Sequence, residues 1–236
     1  MNKSSLVGRV KASLEASAGD IVFGMEDGTV SIFGLVFGVA ATTNNRSTVL
    51  IAGASGAVAA AVSMMAGVYL DAETSRDQAR ALDALIHSEM EQDPAGVLGR
   101  VMGQLRAAGI GLEQTKTLTS FLQSQPAILE GIASALATQA AAGLTQSPLV
   151  QSLWMLAADF FAAAIPIVPF ALLPVPEGRV VSGTVTLLLL ICLGIGRARI
   201  GGRGVMRTVI ETVSIGVAAA LAGVAIGTGM ARIFGG

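Results

Sequence analysis

The fold is decided by residues 19–41, which read GDIVFGMEDGTVSIFGLVFGVAA. This run of 23 residues is long enough to cross a bilayer, since a helix needs about 20 residues to span the hydrocarbon core. Four more apolar runs follow, at residues 49–70, 149–173, 180–196 and 213–233. They lack the alternation of a membrane β-barrel strand, so only helices can satisfy their backbone in lipid. The sequence predicts an all-α polytopic membrane protein with five transmembrane helices.

The composition supports the same class. Hydrophobic residues make up 53% of the chain and charged residues only 13%, against about 25% charged in soluble domains. The excess apolar surface therefore faces lipid. The net charge of −1 gives no field that would attract nucleic acid. Cys192 is the single cysteine and His87 the single histidine, which excludes an intramolecular disulfide, a thiolate metal cluster and a zinc site with two His from one chain.

The links between the runs divide the chain into three parts: residues 1–70, 71–148 and 149–236. Within the first part, residues 8–19 are mixed and polar, which predicts a short amphipathic helix on the membrane surface instead of a cleaved signal. The middle part carries apolar residues at helical spacing among many charges. It is predicted to be a small helical cytosolic insert of three or four helices, broken near Asp93-Pro94, Gly109 to Gly111 and Gln125-Pro126.

The distribution of basic residues predicts the orientation. With the N-terminus inside, twelve of the fifteen Lys and Arg residues lie on the cytosolic side, and only Arg46, Arg179 and Arg232 lie outside. Five spans then place the C-terminus outside. The Ala- and Gly-rich composition favours a prokaryote, and hence the bacterial cytoplasmic membrane.

Three predicted spans carry residues that suit a metal ion. An ionisable group at the middle of a span costs about 2.5–3.5 kcal/mol on insertion scales and marks a functional hypothesis. Span one has Glu26 and Asp27, span two has Met64 and Met65, and span three has Asp159. At a rise of about 1.5 Å per residue, Asp27, Met64 and Asp159 lie about 12, 9 and 15 Å from the cytosolic edge. Carboxylates suit divalent cations, and a thioether favours transition metals.

Each of these assignments has an alternative. The methionines could fill gaps in a helical core, and Asp159 could be a hydrogen-bond partner within the bundle.

Span one also carries Gly34 and Gly38, spaced four apart. Such a pair lets two helices approach closely, and it predicts that span one forms the interface of a symmetric dimer.

The order of several motifs resembles the vacuolar iron transporter family. The motifs are GMEDGT at residues 24–29, GLVFGVA at 34–40, AVSMMAGVYL at 61–70, IPIVPF at 165–170, and the Gly-rich run at 215–227. The resemblance covers all five spans in order and includes the long insert. It implies a homodimeric exporter of cytosolic Fe²⁺ or Mn²⁺, coupled to proton entry, with Asp27 and Met64 as ligands. The ion would be the transported substrate, with no further cofactor and no enzymatic activity.

The chain departs from this family pattern at two places. Val68 stands where the family's second span has a Glu, and the insert offers chiefly Glu89, Met90, Glu91 and Asp93 where the family's insert is Glu-rich. A site for a hard ion needs several converging oxygens, so the insert is predicted to be a dimerisation or gating cap. Asp159 is predicted to replace the missing negative charge, as a ligand or as the group that exchanges protons.

Two other classes of function are open to such a sequence. A non-transporting membrane scaffold could keep the fold without moving ions. An intramembrane aspartyl protease would use two span aspartates, but its Gly-x-Gly-Asp signature is absent, because Asp27 follows Gly24-Met25-Glu26. A rhomboid-type serine protease needs an intramembrane histidine, and His87 falls in the insert.

Overall fold

The structure of the protein is a computed structural model that describes residue 8 and residues 13–14, 17–137 and 147–234. Within these ranges it contains helices and no strand, so the all-α prediction is confirmed. The predicted surface helix at residues 8–19 lies largely outside the described residues. The eight described helices are α1 (Ala18–Thr42), α2 (Arg46–Gln92), α3 (Pro94–Ala107), α4 (Leu112–Ser124), α5 (Pro126–Ala137), α6 (Pro148–Leu172), α7 (Val175–Ile200) and α8 (Val205–Phe234).

Five helices, α1, α2, α6, α7 and α8, are long and apolar enough to cross a membrane. This confirms the predicted number of spans. The fourth span is longer than predicted. Its apolar run covers residues 180–196, whereas helix α7 has 26 residues and extends past both ends of that run. Its ends carry charged side chains such as Glu177 and Arg197, which belong to the helix although they interrupt the apolar run.

Helix α2 has 47 residues and does not stop where its apolar run ends at Leu70. Residues 71–92 contain neither Gly nor Pro. Ion pairs three residues apart also support the helix there, between Glu73 and Arg76 (4.0 Å) and between Asp77 and Arg80 (3.0 Å). The helix ends at Gln92, ahead of Pro94, because the residue before a proline is disfavoured in helical conformation.

The chain forms two compact units, one of Met1–Tyr69 with Gln146–Gly236 and one of Leu70–Thr145. In the first unit, α1 is the most buried of the five long helices and packs against α6, α7 and α8. Its core with α2 and α6 includes Ile32, Val36, Ala57 and Ala163. The short link between α1 and α2 is fixed by Asn45, whose side-chain oxygen accepts from the N–H groups of Ser47 (2.9 Å) and Thr48 (3.3 Å).

The Gly34 and Gly38 face of α1 packs against α8 of the same chain. A Cβ at Gly38 would lie 2.6 Å from the Gly223 carbonyl oxygen, and one at Gly34 would lie 2.8 Å from that of Ala219. Ala219, Gly223 and Gly227 follow one another at four-residue spacing on α8, so small residues face small residues along this contact. The prediction that this face forms a dimer interface is therefore wrong: α8 already covers it.

Helix α7 holds α6 and α1 by polar contacts. α6 runs unbroken through Pro166 and Pro169, and the Ser182 hydroxyl donates to the Pro166 carbonyl oxygen (2.7 Å). The Arg179 guanidinium donates to the carbonyl oxygen of Ala40 in the last turns of α1. The negative end of the helix dipole stabilises a cation at this position.

The second unit contains the end of α2 with α3, α4 and α5. The breaks between these helices fall where the sequence predicts them, at Asp93, at residues 108–111 and at Gln125. Asp93 caps α3 by accepting from the Gly96 N–H (2.9 Å). The core of this unit is a separate apolar cluster that includes Ile86, Val101 and Leu122.

Candidate functional site

Asp159 of α6 is a fully buried carboxylate in the first unit, with 0% exposure. Neither carboxylate oxygen has a hydrogen-bond partner among the described residues. It lies against Gly28 of α1, where an added Cβ would be 2.7 Å from Asp159 Oδ1, so only glycine lets the two helices approach this closely. A buried carboxylate without partners is costly. The site therefore favours binding of a cation or a proton at Asp159.

Asp27 is partly buried and directly precedes Gly28, the residue of α1 that packs against Asp159. It lines a cavity of about 210 Å³ together with Phe23, Glu26, Val30, Arg197 and Ile215. The cavity has room for a hydrated ion, since a water molecule in the liquid takes about 30 Å³. Asp159 is not among the residues that line this cavity; it packs against Gly28, the residue after Asp27.

Glu26, also a predicted ligand, already has partners. Its Oε1 accepts from Arg197 Nη1 (3.1 Å) and from the Thr212 hydroxyl (3.0 Å). The carboxylate is thus held by α7 and α8 and neutralised by a guanidinium. The sequence did not predict this pair, because Arg197 counts there only as one of the twelve basic residues assigned to the cytosolic side, and no local pattern connects it with Glu26.

Met64 and Met65 lie on α2, each half-buried. Neither is among the described residues that line the Asp27 cavity. Their role as thioether ligands therefore stays a prediction, and the acidic side chains that line the Asp27 cavity are those of Glu26 and Asp27.

Glu89, Glu91 and Asp93, the acidic residues that the sequence singled out in the second unit, interact with other groups. Glu89 pairs with Arg100, and the hydrogen bond from that guanidinium lowers the pKa of the Glu89 carboxyl. Asp93 caps α3, and Glu91 lies 3.7 Å from His87. Across the described residues, no group of three or more His, Cys, Asp or Glu is arranged to hold a metal ion.

His87 joins α2 to α5 through its ring, with Nδ1 2.8 Å from Glu130 Oε1. The hydrogen bond to Glu130 and the charges of Glu130 and Glu91 raise the pKa of His87. Because the folded state binds the proton more tightly, the stabilisation is complete below the unfolded pKa of about 6.5 and is lost as the pH rises through the higher folded pKa. The His87 side chain is 65% exposed and that of Glu130 is 37% exposed, so screening by solvent keeps the effect on stability small.

We therefore expect amide protection of α5 to fall as the pH rises through the His87 pKa, measured by hydrogen exchange on the full chain and corrected for intrinsic rates. In His87→Gln the pH dependence should be flatter, because glutamine does not titrate. An equal pH dependence in both proteins would show that another group is responsible.

Five helices long enough and apolar enough to cross a membrane, together with the fully buried carboxylate of Asp159, define a polytopic membrane protein. The sequence model of the VIT family matches residues 18–228. The chain belongs to this family, which confirms the resemblance seen in its motifs. It is 26% identical to "Vacuolar iron transporter 1" of Arabidopsis thaliana over 204 residues, 86% of this chain and 82% of the relative. It is 23% identical to "Vacuolar iron transporter" of Centaurea cyanus over 213 residues, 90% of this chain and 87% of the relative.

Proposed function

We propose that this chain is a secondary transporter that moves a divalent transition metal, Fe²⁺ or Mn²⁺, out of the cytosol in exchange for protons. The observation that carries the proposal is the fully buried, unpartnered carboxylate of Asp159, which packs against Gly28, the residue after Asp27. The names of the two relatives, both vacuolar iron transporters, support the metal as the substrate class.

Charge balance links the two exchanged ions. Asp27 and Asp159 together carry two negative charges when ionised, and Glu26 is already neutralised by Arg197. One divalent cation or two protons would balance the remaining pair, and a balanced site is favoured within a membrane. With Glu26 paired to Arg197, the proton-loaded form of the site therefore buries no net charge.

We further propose a homodimer in the bacterial cytoplasmic membrane, with the N-terminus in the cytosol and the C-terminus outside. The excess of Lys and Arg on one side of the predicted spans supports this orientation. Met64 and Met65 lie outside the lining of the Asp27 cavity of their own chain. In this proposal they act as soft ligands elsewhere along the path of the ion.

Purified protein in proteoliposomes tests the proposal against a scaffold that moves no ions. We expect Mn²⁺ and Fe²⁺ to enter the vesicles faster than Mg²⁺ or Ca²⁺, reported by a metal-sensitive dye trapped inside. Asp27→Asn should reduce entry to the level of protein-free vesicles. If the wild-type protein passes no divalent metal faster than empty vesicles, the scaffold is the better description.

A further inference from the structure

Arg197 is a positively charged group inside the cavity that we assign to a positively charged substrate. It stands in the last turn of α7 and lines the same cavity as Asp27. Its guanidinium pairs with Glu26, the neighbour of Asp27 in sequence, through Nη1 at 3.1 Å from Oε1 and 3.5 Å from Oε2. A substrate cation that enters this cavity therefore meets a cation that belongs to the protein.

We propose that Arg197 is a tethered competitor for the substrate: it holds Glu26 while the cavity is free of metal, and the divalent ion displaces it. The proposal rests on the proposed function, because it takes the Asp27 cavity as the entry site of the metal. It assigns Arg197 a positioning role that sets affinity and promotes release.

The two partners of the ion pair are held unequally. The Glu26 side chain is only 10% exposed, and the Thr212 hydroxyl also donates to it at 3.0 Å. The Arg197 side chain is 41% exposed, and a single nitrogen contacts Glu26 instead of the paired fork that makes Arg–carboxylate bonds strong. If the pair opens, Glu26 stays in place and the guanidinium moves toward solvent near the C-terminal end of α7, where a cation is favoured.

The charges explain why a divalent ion wins this competition. A metal ion with two charges attracts Glu26 and Asp27 about twice as strongly as a guanidinium at the same distance. After the metal leaves, Arg197 restores neutrality at Glu26, so the cavity does not retain an unpaired buried carboxylate. A monovalent cation lacks the advantage of charge, and Arg197 therefore also selects against it.

Mn²⁺ binding to the full chain in detergent, measured by the loss of the free-ion electron paramagnetic resonance signal, tests this role. We expect Arg197→Gln to bind Mn²⁺ about ten-fold more tightly, since one repelling charge is removed and Glu26 is freed. Arg197→Lys should bind about as wild type does, because the charge is kept. Arg199→Gln is the matched control, since Arg199 is exposed on the same turn, and it should change affinity little.

A gain of affinity separates the proposal from a purely structural role, because damage to the fold weakens binding. Affinity in Arg197→Gln that equals or falls below wild type overturns the competitor role, whereas Mn²⁺ binding that survives Asp27→Asn overturns the proposed site itself. Wild-type protein that binds no Mn²⁺ contradicts both.

A measurement on the wild-type protein keeps the test independent of whether Arg197→Gln folds. Phenylglyoxal modifies accessible arginines, and mass spectrometry reports each position. Mn²⁺ should speed modification of Arg197 and leave Arg199 unchanged. If Mn²⁺ slows the modification of Arg197 or leaves it unaltered, the guanidinium is not displaced and the proposal is wrong.

Discussion

Replacing Asp159 by Asn is expected to abolish metal transport while leaving the protein folded. The side chain is fully buried and its oxygens have no described hydrogen-bond partner, so the amide loses no contact that the structure shows. Removing a buried charge should leave the melting temperature equal or higher, as at other sites where function requires a destabilising group. Transport should fall to the level of empty vesicles, because the proposed exchange requires Asp159 to release a proton when the metal binds and to take one up when the metal leaves.

Two companion variants sharpen this result. Asp20→Asn removes a carboxylate from the same α1–α6 contact, but Asp20 accepts from Gln151 (2.9 Å), and this variant should transport normally. In the Asp159→Asn background, Val68→Glu should partly restore transport by returning the charge that the family pattern has in the second span. Normal transport by Asp159→Asn itself would show that Asp159 is only a hydrogen-bond partner within the bundle.

Gly38→Leu is expected to prevent formation of the native helix bundle. Even a Cβ at this position would lie 2.6 Å from the Gly223 carbonyl oxygen and 2.9 Å from its carbonyl carbon. Those atoms belong to the backbone of α8 and cannot rotate away, so the two helices must separate. Overpacking typically costs about 1–3 kcal/mol, and a whole leucine against backbone should exceed that range. The yield of monodisperse protein after detergent extraction should fall sharply.

Gly229→Leu is the matched control on α8, because nothing lies within 4 Å of a Cβ built there. This variant should give the same yield of monodisperse protein after detergent extraction as the wild type. The same pair of variants distinguishes the contact within the chain from the predicted dimer contact. A Gly38→Leu protein that is folded, active and merely monomeric would mean that the face acts between chains.

The membrane architecture could be predicted from sequence because its signals are local. Apolar runs long enough to span are visible without any knowledge of packing, and Pro94 and Pro126 mark helix starts through their own backbone restriction. The use of Gly34 and Gly38 could not be predicted in this way. A small-residue pair shows that another helix comes close, but the identity of that helix depends on the matching residues of α8, which lie far along the chain.

In the candidate site, too, the residues with a local sequence signal could be predicted, and the contact between distant residues could not. Asp27 and Asp159 could be found because a carboxylate within a span is costly and therefore conspicuous. The ion pair of Glu26 with Arg197 joins residues 171 positions apart, and no local pattern connects them. Glu26 was accordingly predicted as a ligand on the same grounds as Asp27, although only the fold shows that its charge is already balanced.

In the proposed transport cycle, Asp27 and Asp159 exchange a divalent metal for protons. Proteoliposomes that contain the wild-type protein and a trapped pH indicator test it most directly when Mn²⁺ is added outside. Mn²⁺ entry should raise the internal pH, an inside-acid gradient should speed that entry, and Asp159→Asn should lose both effects. Mn²⁺ entry that is equally fast with and without the gradient, and leaves the internal pH unchanged, would contradict exchange of the metal for protons.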